Sequence, residues 1–205
     1  MRFDHAILAV QDLAAARADF HNLGFTSTYG GRHRGGLTHN ALIALADGSY
    51  LELMAPTDPA HLTTRPGEGY LSVFQRGEGF AGYALHTEDL ETDVGGMRRR
   101  GLLVGEAATG GRRREDGQEL GWRMATLPEG MSPFRLEDVT PRELRVPARP
   151  EATTHANGAL GAAGLVVLVA DLEKSKERYR AILGRAPETS SGMPGAATAD
   201  FSVGS

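Results

Sequence analysis

An apolar run, then Asp-Leu, then a helix-like stretch closed by Gly occurs three times in this chain. The copies begin Ala6-Ile7-Leu8-Ala9-Val10-Gln11-Asp12-Leu13, Tyr83-Ala84-Leu85-His86-Thr87-Glu88-Asp89-Leu90 and Leu165-Val166-Val167-Leu168-Val169-Ala170-Asp171-Leu172. From Asp12 to Gly24, Asp89 to Gly101 and Asp171 to Gly184 the spacings are 12, 12 and 13 residues. Repeats this far apart are duplicated modules rather than the turns of a solenoid. Each Asp is placed to cap a helix, because its carboxylate can accept from the free N–H groups of the first turn. Each Gly supplies the left-handed residue that ends it. Between them apolar residues recur at helical spacing: Leu13, Ala16, Phe20 and Leu23, then Leu90, Val94 and Met97, then Leu172, Tyr179, Ile182 and Leu183.

The rest of each module reads as strands. After the first helix come Phe25 to Arg32, Thr38 to Ala46, the hairpin turn Asp47-Gly48, and Ser49 to Ala55. The second module gives Ala81 to Thr87, a helix from Leu90 to Arg100, then Leu102 to Ala108, Gln118 to Leu127 and Phe134 to Val139. The predicted fold is α+β: tandem β-α-β-β-β modules, two complete and a third partial, forming curved mixed sheets around a cavity with helices outside. Residues 1–56 and 79–140 pair into one domain, 141–158 form a linker, and 159–205 form the partial third module, with a strand expected at Ala196 to Val203. A short helix is expected from Tyr70 to Gln75. An odd number of modules leaves one unpaired, which predicts a homodimer in which the third meets its symmetry mate.

Composition narrows the function classes. The 205 residues carry a formal net charge of −4, which argues against nucleic acid as partner. There is no Cys, so thiolate metal sites, disulfides and Cys nucleophiles are excluded. No apolar run reaches the roughly 18 residues of a membrane span, and the first residues lack a signal pattern, so a cytoplasmic protein is expected. The triplet Arg98-Arg99-Arg100 falls in a helix's last turn, where cations suit the dipole. Arg112-Arg113-Arg114 reads as the solvated rim of a Gly-rich hairpin.

The polar residues inside strands are the candidate chemistry. His5 lies on the first strand. Glu52 lies within Tyr50-Leu51-Glu52-Leu53, and Glu137 within Phe134-Arg135-Leu136-Glu137, at what reads as the equivalent position. Alternation puts His5 with Ile7 and Ala9, and Glu52 with Tyr50 and Met54. If the two faces agree, one imidazole and two carboxylates can hold a divalent cation (Zn, Mn, Fe, Ni or Co), with positions left open for substrate. The plain alternatives are that His5 caps a strand end and that the glutamates pair with Arg123, Arg135 or another cation. Substrate contacts are expected from one of His39 and Asn40, which alternate, from Trp122, and from Arg135 toward an anionic group. His33 and His86 read as exposed strand ends.

With Gly30-Gly31-Arg32-His33, Gly36-Leu37-Thr38-His39-Asn40 and Tyr50-Leu51-Glu52-Leu53, the repeat resembles the vicinal oxygen chelate superfamily, and within it the glyoxalase-like subgroup. That group includes glyoxalases, extradiol dioxygenases, epimerases and bleomycin-resistance proteins. The resemblance implies one metal ligand from the first and one from the fourth strand of each paired module. His5, Glu52 and Glu137 match three such positions, and Gly82 stands at the fourth. It also implies a lyase- or isomerase-type enzyme acting on a small carbonyl or vicinal-oxygen substrate, with Glu52 or Glu137 moving a proton. A metal-free protein that sequesters a small molecule, and a scaffold built on the third module, are the other two readings.

Overall fold

The computed structural model describes residues 1–64, 71–74, 77–128, 133–188, 192 and 196–204. Its elements in chain order are β1 (Arg2–Ala9), α1 (Leu13–Asn22), β2 (Thr28–His33), β3 (Thr38–Ala44), β4 (Tyr50–Pro56), α2 (His61–Thr64), α3 (Leu71–Phe74), β5 (Gly79–His86), α4 (Leu90–Arg99), β6 (Ala108–Arg113), β7 (Glu119–Ala125), β8 (Phe134–Asp138), α5 (Arg142–Arg145), α6 (Pro150–Thr153) and α7 (Leu172–Leu183). The eight strands close into a barrel in the order β1-β4-β3-β2-β6-β7-β8-β5. Each module therefore supplies one four-stranded half. The seams are β1 against β5 and β2 against β6, both antiparallel. No helix among the described residues is long and apolar enough to cross a membrane.

The three caps form as their sequence demands. Asp12 accepts from the N–H groups of Ala14 and Ala15 at 2.8 and 3.0 Å, Asp89 from Thr92 at 2.9 Å, and Asp171 from Lys174 at 3.0 Å. Gly24, Gly101 and Gly184 take φ of 84°, 87° and 70°, where a side chain would be strained. α1 buries Leu13 and Ala16 against Ile43 and Leu53, while Leu23 turns to solvent. α4 buries Leu90, Val94 and Met97 against Val104 and Ala125. Helices thus cover the outer faces of both halves, and the inward faces are left to line the lumen.

Three local expectations are corrected. The strand expected at Leu102 to Ala108 begins only at Ala108, because Val104 is drawn into the core beneath α4 and Leu102 packs beside it. The Arg triplet then lies on β6 and its turn, and Arg112 is buried rather than solvated. In the third copy α7 forms, but Leu165 to Val169 pair with no strand and are exposed, Leu168 by 93%. Ala196 to Val203 likewise form no strand, only isolated bridges such as Glu188 to Asp200. The barrel is closed, so among the described residues it offers the apolar run no free strand edge, and the pattern alone does not make a strand. The short helix predicted at Tyr70 to Gln75 runs over Leu71–Phe74, its two end residues lying outside the described residues.

Segment 141–158 packs closely on the barrel. His155 accepts from the Thr26 N–H at 3.0 Å through Nδ1 and meets the Ala44 carbonyl at 2.9 Å through Nε2. Within the same segment, α5 inserts Arg145, 2% exposed, into the protein interior.

Candidate functional site

A β-bulge sets the first residue of the site. Phe3 pairs with Leu85 and His5 with Ala84, so Asp4 is the extra residue on β1. A bulge re-aims a side chain, and here Asp4 and His5 come into contact: His5 Nδ1 donates to Asp4 Oδ2 at 2.6 Å. The other nitrogen of His5, Nε2, lies 3.3 Å from Glu52 Oε2. His33 Nε2 lies 3.3 Å from Glu52 Oε1, and Asn40 Nδ2 donates to that same oxygen at 2.7 Å. Tyr50 stacks on the His5 ring with centroids 4.5 Å apart. The result is a chain, Asp4–His5–Glu52–His33, buried except for the partly exposed His33, with every member held from at least two sides.

These groups open onto a cavity of about 220 Å³ inside the barrel, whose wall includes Met54, Trp122, Met124, Phe134 and Leu136. A second hollow, about 620 Å³, lies between the barrel and residues 162–204. Among the described residues its wall contains no imidazole, so size does not decide where the chemistry is. The smaller cavity holds the acid–base groups, and the site is placed there.

Glycines make the room. A Cβ on Gly30 would lie 2.1 Å from Asn40 Oδ1, and one on Gly110 would lie 2.1 Å from Trp122 Nε1. Gly110→Ala is therefore expected to push the indole out of its seat, at a cost of about 1–3 kcal/mol. Trp122 is the only Trp in the chain, so its emission maximum and a urea melt report the change directly. Unaltered emission would contradict the packing.

Behind His5 stands a second network. Arg145 meets Asp4 at 2.9 and 3.1 Å, Asp138 at 2.5 and 2.9 Å, and the Tyr50 hydroxyl at 2.8 Å. Arg142 joins both carboxylates, and His86 Nε2 lies 3.2 Å from Asp138 Oδ2. Burial would raise Asp4, but Arg145 and His5 outweigh it and hold its carboxyl well below the usual range. Burial likewise opposes the charge on Glu52, which His33 and His5 hold well below the usual carboxylate range. For His5, burial works downward and is overcome by Asp4 and Glu52, leaving the imidazole above its ordinary value.

These directions predict a stability profile with two limbs. The raised His5 contributes fully below its unfolded value of about 6.5, and its share is lost as pH rises through the folded value. The depressed Asp4 and Glu52 contribute fully above about pH 4, and theirs is lost as pH falls through their folded values. Melting temperature is thus expected to peak between about pH 4.5 and 6.5 and to fall on the alkaline side as His5 loses its proton. His5→Gln should flatten that alkaline limb, and an unchanged alkaline fall in the variant would remove His5 as its cause.

The expected site residues separate into two groups. His5, Glu52, Asn40 and Trp122 all line the cavity, together with His33, which is no exposed strand end. His86 is also buried, 5% exposed. Glu137, Arg135 and His39 face away from the cavity. Glu137 pairs across strands with Arg123 at 3.3 Å and accepts from the Leu90 N–H at 3.5 Å, at the start of α4. Arg135 donates to the Ile182 carbonyl at 2.7 Å, under α7. His39 meets the Tyr29 hydroxyl at 3.4 Å on the outer side.

Register explains the misplaced glutamate. Ile7 pairs with Glu52 and Ala84 with Phe134, and Ile7 and Ala84 each stand five residues before their capping Asp. Phe134 is therefore the counterpart of Glu52. Glu137 lies three positions further on, and an odd shift moves a side chain to the opposite face of the sheet.

The donor set does not fit a divalent ion as expected. Glu137 is on the wrong side of the sheet. His5 has both nitrogens against carboxylates, and His5 and His33 approach different oxygens of Glu52. Among the described residues no group of three or more His, Asp or Glu is arranged to hold a metal.

The pattern of the glyoxalase-like domain family matches residues 3–183. Similar solved structures include a hypothetical protein from Staphylococcus aureus, 20% identical over 70% of this chain with a TM-score of 0.59. The chain spans 61% of that protein's length. A hypothetical protein from Bacillus halodurans is 16% identical, with 68% of this chain and 96% of that one covered and a TM-score of 0.51. Methylmalonyl-CoA epimerase from Mycobacterium tuberculosis is 22% identical over 69% of this chain and 89% of its own, with a TM-score of 0.49. No curated protein matches the chain.

Proposed function

Since the chain belongs to the glyoxalase-like domain family, we propose that its barrel cavity carries out proton transfer on a small carbonyl compound, a lyase- or isomerase-type reaction. The observation that supports this reading is the Glu52 carboxylate, ionised, buried and facing a cavity between two imidazoles. A carboxylate has about four lone-pair positions. Asn40 and His33 take those on Oε1, and His5 takes one on Oε2. The remaining one accepts the proton from carbon.

His5 supplies the other half of the step. When a carbonyl oxygen enters, the His5 Nε2–H shifts from Glu52 to that oxygen. The shift polarises the carbonyl and relieves Glu52 of one of the donors that hold its basicity down. A proton on the carbon next to the carbonyl passes to Glu52, and the enolate oxygen is stabilised by the imidazolium. Asp4 keeps the His5 ring oriented through Nδ1, and Arg145 keeps Asp4 ionised. A cavity of about 220 Å³ lies below the range usual for drug-sized ligands, so the reacting end of the substrate is small.

Incubating the protein with small aldehydes and ketones in D₂O, after exhaustive chelation, tests the reading by NMR. Deuterium should enter at the carbon beside the carbonyl in at least one compound that also quenches Trp122. Compounds that bind at Trp122 yet never exchange would leave a sequestering protein in place of an enzyme.

A further inference from the structure

Arg112 is 5% exposed and lines the same cavity. Its Nη2 donates to the Arg145 carbonyl, a neutral acceptor, and its Nε is buried with no partner. No ion pair among the described residues includes it, and the nearby carboxylates are already committed. Asp4 is held by Arg145, Arg142 and His5, Asp138 by Arg145, Arg142 and His86, and Glu52 by His5 and His33. An isolated buried charge costs several kcal/mol unless something pairs with it. A guanidinium cannot escape that cost by losing its proton.

From this we infer that the cavity takes an anionic ligand, a small carboxylate held by Arg112 as its counter-ion. The inference rests on the proposed proton transfer only for what happens next: a 2-oxo acid seated on Arg112 brings its carbonyl toward His5 and Glu52. Arg34, exposed at the cavity mouth, adds a second positive charge along the entry route. Arg112 reaches the cavity beside Gly30, where a Cβ would sit 3.1 Å from its Nη1. The guanidinium thus sits in space that Gly30 keeps open.

Trp122, in the cavity wall, is the reporter for the test. The full chain is titrated with pyruvate, acetone and inorganic phosphate at constant ionic strength, alongside Arg112→Gln, Arg112→Lys and Glu52→Gln. Pyruvate is expected to quench saturably and at least about tenfold more tightly than acetone, since a charge-assisted bond is worth more than one such factor. Arg112→Gln should erase that preference and Arg112→Lys should restore part of it. Glu52→Gln should still bind pyruvate, and more tightly, because a neighbouring negative charge is gone. Without ligand, Arg112→Gln should melt no lower than the wild type, whereas an arginine kept for structure would lower it.

Equal pyruvate affinity in Arg112→Gln, or no preference for pyruvate over acetone, would overturn the inference. Phosphate binding more tightly than pyruvate would overturn the carboxylate assignment. Arg112-dependent pyruvate binding, with no deuterium exchange in pyruvate or in any other carbonyl compound that binds, would leave this inference standing and remove the proton-transfer reading instead.

Discussion

Replacing Arg145 with Met is expected to lower the unfolding free energy by about 3–5 kcal/mol, the range for stripping one partner from a buried ion network. The side chain is 2% exposed and contacts Asp4, Asp138 and Tyr50. Met replaces the aliphatic stem but leaves two buried carboxylates short of a counter-charge. Arg142 reaches both Asp4 and Asp138, so it keeps part of the network and sets the loss below that of two isolated charges. Urea denaturation should show a lower midpoint at unchanged slope. Adding Asp4→Asn to Arg145→Met should recover part of the loss, because the uncompensated charge then disappears, and the cycle measures the coupling. A single variant within about 0.5 kcal/mol of wild type, the spread of ordinary surface changes, would refute the structural weight given to Arg145. The same variant should weaken proton transfer, since Asp4 orients His5 and Arg145 holds Asp4.

Much of this architecture was legible from local rules. An Asp before an apolar helical stretch and a Gly after it describe both helix ends, and those geometries are realised at Asp12, Asp89 and Asp171. Alternation within one strand also paired His5 with Glu52, since both lie on β strands whose inward faces agree. Alternation does not carry across modules, so it does not set the face of Glu137. Leu51-Glu52 and Leu136-Glu137 look alike in sequence, but only the strand pairing decides which positions correspond. Counting from each capping Asp through the β1–β4 and β5–β8 registers shows Phe134 in that place. The third copy failed for a different reason. Leu165 to Val169 carry strand propensity, but a strand also needs an edge to pair with, and propensity does not report one. Arg145 and Asp4 have no sequence signature for a third reason. An ion network joining residues more than a hundred positions apart leaves no spacing in the sequence, and a bulge that sets the buried Asp4 beside His5 leaves no motif. Arg112 differs, and its signal is chemical: an Arg triplet inside a Gly-Gly strand has more arginines than a solvated rim requires.

Glu52→Gln is expected to reduce solvent deuterium incorporation by about 10²–10⁴-fold, the usual contribution of one positioned acid–base group. Gln keeps the shape and one acceptor oxygen, so Asn40 can still donate to it and the cavity wall is preserved. What it removes is the basic lone pair, together with the charge that favours the imidazolium on His5. Two separate losses follow, and they can be told apart. Loss of the base lowers exchange at every pH. Loss of the charge moves the His5 titration downward, which should appear as a shift of the imidazole proton resonances of that residue toward a lower midpoint. His5→Gln should cost less than Glu52→Gln in exchange, because it removes the stabiliser of the enolate and leaves the base in place. The comparison is decisive when both variants still quench at Trp122 with pyruvate, since binding is then intact and only chemistry has changed. Exchange in Glu52→Gln within about threefold of wild type would mean that another group takes the proton, and with it the assignment of Glu52 as base would fall.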